Sequence, residues 1–89
     1  MSYQNKIIKE MEKKGYTVLK TIRLGANGYP DLLCMKLGEV DIWIECKEPN
    51  DTLKPLQKFR IDELNQLGKK AFCCQNGKGI IYPSLLTTL

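Results

Sequence analysis

At 89 residues the chain can form one small domain, residues 1–89, and a chain of this size buries barely enough surface to fold alone, so pairing with a second copy would help it. With 43% hydrophobic and 27% charged residues it has the composition of a globular domain; no apolar run approaches membrane-spanning length and the start Met1–Lys6 is too polar for a signal peptide, which points to the cytoplasm. The net charge of +4 is modest but uneven: Lys6, Lys9, Lys13 and Lys14 crowd one stretch and Lys54, Lys58, Arg60, Lys69 and Lys70 another, which suits a polyanion, although on charge alone a solvated lysine-rich surface is the plainer reading.

Residues 3–14 are expected to form an amphipathic helix, because Gln4, Ile7, Ile8 and Met11 recur at i, i+3, i+4 and i+7 and Gly15 can end it. Tyr16 to Arg23 alternates well enough for a strand, with Val18 and Ile22 on one face. Leu24 to Pro30 is a loop whose glycines, Gly25 and Gly28, permit tight turns and close approach to a ligand, while Pro30 keeps the chain extended. Pro30 to Lys47 carries the signature of a β-hairpin, two apolar runs around the turn Leu37-Gly38-Glu39. On its second strand Val40, Ile42, Ile44 and Cys46 form one face. Asp41, Trp43, Glu45 and Lys47 form the other, which is too charged for core and is expected to line a cleft; Trp43 is expected to pack under the first helix. A turn-rich loop, Glu48 to Leu53, leads to a second helix, Pro55 to Leu67, with Leu56, Phe59, Leu64 and Leu67 as its core stripe and Gly68 as its stop. Lys70 to Gln75 reads as a short buried strand and 76–79 as a turn, and 80–89 admits a strand followed by a short helix. The order is α-β-β-β-α-β, without repeat or linker. Cys34, Cys46, Cys73 and Cys74 all fall in predicted strands, with no Cys-x-x-Cys pair and no histidine. They read as small core residues rather than as zinc ligands or disulfide partners.

The hairpin sets Asp31, at the start of its first strand, beside Glu45 and Lys47 at the end of its second. Glu45 and Lys47 are two residues apart and share a face, so two carboxylates and an ammonium converge. A structural ion pair needs one acid and one base; two acids with a lysine suit a divalent cation. Phosphodiester cleavage requires a nucleophilic water and relief of charge on the phosphate, and Mg²⁺ or Mn²⁺ held by one or two carboxylates supplies both. Asp31 and Glu45 are the candidate ligands, with the carbonyl of Cys46 as a further oxygen. Lys47 is the candidate to orient or deprotonate the water, or to offset transition-state charge. Serine or cysteine triads that depend on histidine are excluded, and Gly77-Lys78-Gly79 is too short for a phosphate-binding loop.

Pro30-Asp31 with Glu45-Cys46-Lys47 resembles the Pro-Asp…(Asp/Glu)-x-Lys signature of the PD-(D/E)XK nuclease superfamily. The wider set of Gly28-Tyr29-Pro30-Asp31-Leu32, Trp43-Ile44-Glu45-Cys46-Lys47, Pro55-Leu56-Gln57 and Leu64-x-x-Leu67-Gly68 is similar to the VRR-NUC (virus-type replication-repair nuclease) family, from Gly15 to about Gln75. The resemblance implies a small α/β core of PD-(D/E)XK type, with a mixed central sheet flanked by helices. It also implies a homodimer, Mg²⁺ or Mn²⁺ dependence and cleavage of branched DNA such as Holliday junctions, in a bacterial or phage setting. Gln57 matches the family's glutamine on the helix after the lysine strand, from which it would reach the metal-bound water or a phosphate. The family also carries an acid on its first helix, and here that position is Gln4. Either the site works without this acid or the helix is rotated and Glu10 supplies it; Glu10 is taken as the candidate catalytic acid, against the equally good reading of a surface acid paired with neighbouring lysines.

Three functions are compatible with these residues. The first is a metal-dependent, structure-selective endonuclease whose symmetric dimer spaces two sites for paired cuts. The second is a non-catalytic DNA-binding module that lost turnover with its first-helix acid. The third is a protein-interaction domain whose acids and lysine form salt bridges only.

Overall fold

Ser2 starts the first helix: its hydroxyl accepts the Asn5 amide hydrogen at 3.1 Å, satisfying one of the donors a helix leaves unpaired. In the computed structural model, which describes residues 1–22 and 27–84, α1 (Tyr3–Lys13) is followed by strands β1 (Thr17–Lys20), β2 (Leu32–Met35) and β3 (Ile42–Lys47), then α2 (Pro55–Gln66), β4 (Lys70–Gln75) and β5 (Gly79–Tyr82). The result is an α/β fold with a five-stranded mixed sheet and two helices. Its order adds one strand to the expected α-β-β-β-α-β: Gly79–Tyr82 pairs antiparallel with β4, and residues 85–89, where a short helix was in view, lie outside the described residues.

Strand order in the sheet follows chain order, β1-β2-β3-β4-β5. The hairpin is present, with Leu32 opposite Ile44, Leu33 opposite Trp43 and Cys34 opposite Ile42. Only β3 and β4 run parallel, Glu45 beside Cys73 and Lys47 beside Gln75. Parallel neighbours cannot be joined by a tight turn, so the chain crosses over through α2 between them. This places β3 at the centre of the sheet with a helix against each of its faces.

Strand alternation sorts the core into two layers. Met11 of α1 packs with Leu32, Cys34, Ile44 and Cys74 on one face, with Ile7, Ile8 and Cys46 partly buried beside them. Ile61 and Leu64 of α2 pack with Ala71 and Cys73 on the other face, with Trp43 and Tyr29 beside them. Trp43 therefore lies under the second helix and not the first, because it alternates with Ile42 and Ile44, which face α1.

The stripe expected for the second helix is also corrected. Leu64 is buried, but Leu56, Phe59 and Leu67 are exposed, and Ile61 takes the central position. Gln57, Ile61 and Leu64, at i, i+4 and i+7, form the face turned to the sheet. The first strand is shorter than Tyr16 to Arg23; Arg23 and most of the loop after it lie outside the described residues. All four cysteines sit in β2, β3 and β4 as free thiols. Burial pushes the Cys34 thiol up to about 11 and the Cys73 thiol up to about 12, so both stay protonated at neutral pH. Among the described residues no helix is long and apolar enough to cross a membrane.

Candidate active site

The site begins with how the chain enters β2. Pro30 is fully buried, and the Thr21 hydroxyl donates to its carbonyl while the Thr21 amide donates to the Asp31 carbonyl at 2.9 Å. Both bonds fasten the Pro30-Asp31 step to the end of β1. Gly28 sits at φ +85, and a Cβ there would lie 2.6 Å from Cγ of Leu56, so only glycine lets the loop lie this close to α2. Arg60 reinforces the same junction: its Nε donates to the Asn27 carbonyl at 3.1 Å and its guanidinium lies 4.5 Å from the centre of the Tyr29 ring.

Extending the β2–β3 register by one residue sets Asp31 opposite Glu45, on the α2 face of the sheet. The Cys46 amide donates to Asp31 Oδ2 at 3.1 Å, so the strand holds that carboxylate against the end of β3. Glu45 and Lys47 are both buried and pair with each other, Nζ to Oε2, at 3.4 Å. Gln57 reaches in from the first turns of α2. Its Oε1 accepts the Lys54 amide hydrogen at 2.9 Å, which orients the carboxamide so that Nε2 donates to Glu45 Oε2 at 3.4 Å. Glu45 Oε1 is buried and, among the described residues, has no hydrogen-bond partner.

This cluster is electrostatically loaded. Burial pushes the Glu45 carboxyl up to about 7, the negative charge of Asp31 adds to the shift, and the Lys47 ammonium opposes it. A buried carboxylate oxygen with no donor, facing a second carboxylate, is an arrangement a cation relieves. Among the described residues no three side chains of the His, Cys, Asp and Glu types gather into a cation cage. The oxygen donors shown at this point are the two carboxylates of Asp31 and Glu45, a sparse set of the kind that suits Mg²⁺ or Mn²⁺ retaining waters and taking substrate oxygens. The residues present fit such an ion.

Of the residues singled out from the sequence, Asp31, Glu45, Cys46, Lys47 and Gln57 come together here. Glu10 does not. It is exposed on α1, where its charge acts on Tyr3 and Cys74. Gln4 instead lines the same cavity of about 340 Å³ as Asp31, together with Lys20, Thr21 and Tyr29. Two residues of the site have no precedent in the sequence reading. Thr21 is a buried hydroxyl at the end of β1, and its β-branched polar character just after Lys20 is the only mark it leaves. Gln75 is 5% exposed at the end of β4, signalled by a polar side chain closing the buried run Ala71–Cys74.

The sequence model of the VRR-NUC domain matches residues 3–77. A solved structure described as a VRR-NUC domain superposes with a TM-score of 0.68 at 27% identity, covering 79% of this chain and 76% of that one. The fold is also similar to that of Hjc, a Holliday junction resolvase from the archaeal hyperthermophile Archaeoglobus fulgidus, with a TM-score of 0.61 at 16% identity over 82% of this chain and 60% of that one. No curated protein matches the chain.

Proposed function

Because the chain belongs to the VRR-NUC family of nucleases, we propose that it is a Mg²⁺- or Mn²⁺-dependent endonuclease that hydrolyses phosphodiester bonds in branched DNA, Holliday junctions first among them. The observation that carries this reading is the convergence of Asp31 and Glu45 with one buried Glu45 oxygen that has no donor among the described residues.

Asp31, Glu45 and the Cys46 carbonyl would hold the divalent ion, which when bound supplies an activated water and neutralises charge on the phosphate. Lys47, held against Glu45 as an ammonium, orients the attacking water or offsets charge in the transition state. Gln57 keeps the Glu45 carboxylate in place through Nε2, because its Oε1 is already committed to the Lys54 amide. Lys20, beside Asp31 in its cavity, offers a cation to the DNA backbone. A homodimer of such sites in the bacterial or phage-infected cytoplasm fits paired cuts in opposite strands.

The test is cutting of labelled four-way junction, flap and linear duplex in Mg²⁺, Mn²⁺ or EDTA. Cutting is expected only with metal, strongest on the junction, and reduced about 100-fold or more by Lys47→Ala or Asp31→Ala. A second reading, a DNA-binding module without turnover, draws on Gln4 standing near Asp31 where the family carries an acid. Salt-sensitive binding with no cutting would establish it. Neither cutting nor binding would leave a protein-interaction domain.

A further inference from the structure

Across the parallel junction from Lys47, the buried Gln75 ends β4 on the face that also carries Glu45 and Lys47. Its Nε2 donates to three backbone carbonyls, those of Glu48 at 3.0 Å, Pro49 at 3.2 Å and Asp51 at 2.9 Å. A carboxamide nitrogen has two hydrogens, so the three carbonyls share them and the loop is wound around one point. These residues begin the connection between the two functional segments, from Lys47 at the end of β3 to Lys54 at the start of α2. Glu48, Pro49, Asn50, Asp51 and Thr52 are all exposed. Besides Gln75, the loop is held by the Asp51 amide donating to the Glu48 carbonyl at 3.0 Å, by the Glu48 carboxylate accepting from the Tyr3 amide and Asn76 Nδ2, and by Leu53 packed beside the Ile61 cluster. The Asn76 amide, next along β4, donates to the Lys47 carbonyl at 2.9 Å and closes the same end.

The loop ends at Lys54, whose amide donates to Gln57 Oε1 and thereby turns Gln57 Nε2 toward Glu45. A chain of contacts therefore runs from Gln75 through the loop carbonyls to Lys54, Gln57 and the Glu45 carboxylate. We propose that Gln75 is a positioning residue, which by gathering the Glu48, Pro49 and Asp51 carbonyls fixes the loop that aims Gln57 at Glu45. The role rests on the reading of Glu45 as part of a nuclease site.

Gln75→Met keeps the side-chain volume and removes the donor. The full chain carrying it is compared with wild type, Gln57→Ala and the double variant, by amide hydrogen exchange and by turnover at saturating DNA and metal. Exchange at Asp51 and Lys54 is expected to quicken roughly tenfold while Ile61 in α2 is unmoved. Turnover is expected to fall about as far as in Gln57→Ala, with half-saturating DNA within about twofold of wild type and the double variant within about twofold of either single one. Unchanged exchange in the loop overturns the proposal, as do losses that multiply in the double variant. If Gln75→Met fails to fold, Gln75→His, which retains one N–H donor, is read by the same comparison with smaller effects expected. A wild-type chain that cuts no DNA overturns the nuclease reading alone. Exchange at Lys54 and in the Gln57 carboxamide needs no substrate and still decides whether Gln75 sets that contact.

Discussion

Glu45 is the side chain whose chemistry reaches furthest. Its carboxyl is raised from an ordinary value of 4.5 to about 7 by burial and then by Asp31, so the folded chain binds this proton more tightly than the unfolded one. The stabilisation is greatest below pH 4.5, declines as pH rises toward 7 and is level above that. Thermal midpoints are expected to follow this slope, and Glu45→Gln should flatten it and melt higher than wild type at pH 8. The ionised form is the one that holds a cation, so protons and metal compete for it. Cutting is expected to rise with pH through about 7 at low metal, with a midpoint that moves down as metal is raised. A midpoint indifferent to metal concentration would argue against Glu45 as a ligand. Asp31, Glu45 and Lys47 were legible in the sequence because hairpin register and strand alternation fix which ends meet and which side chains share a face. The first-helix question was not, since 3.6-residue periodicity identifies an inward stripe but not which of its members reaches the strand ends. Gln4 occupies that end, and Glu10, six residues on, has rotated out to solvent.

The approach of the loop before Asp31 to the second helix turns on a single glycine. Gly28 lets the loop before Asp31 lie against α2, where a methyl group would meet both the Leu56 side chain and, at 3.2 Å, its carbonyl oxygen. Gly28→Ala is expected to cost about 1–3 kcal/mol in chemical denaturation, from the left-handed backbone and the clash together. Leu56→Ala in that background should recover only the side-chain part. Thr21→Val is expected to cost about 1 kcal/mol by leaving the Pro30 carbonyl without its hydroxyl donor. The orientation of α2 shows where pattern reading stops. Its apolar residues lie all around the helix, so the expected stripe of Leu56, Phe59, Leu64 and Leu67 was as well formed as the observed one, which keeps Leu64 and takes Ile61. Gln57 on the inner face decides for the second, and a polar residue is what a count of hydrophobic positions passes over.

At the scale of the whole molecule, the expected order of elements held as far as β4. The closing strand was harder to see: four residues, Gly79–Tyr82, present too short a pattern to separate strand from loop. On the proposed function, contacts from lysines such as Lys20 to phosphates make DNA affinity fall with salt. Lys20→Ala is expected to weaken binding equally on all sequences and to lower the salt slope by about one, measured by fluorescence anisotropy with Ca²⁺ in place of the catalytic ion. The two ends of the sheet are unlike each other. The Asp31–Lys47 cluster occupies one, and the turn from β2 to β3 occupies the other, where Leu37 is fully exposed and Gly38 has open space around its Cβ position. That distant turn is a natural attachment point: a dye, an affinity tag or a whole guest domain spliced in beside Gly38 would ride at the opposite end of the sheet from Asp31, Glu45 and Lys47.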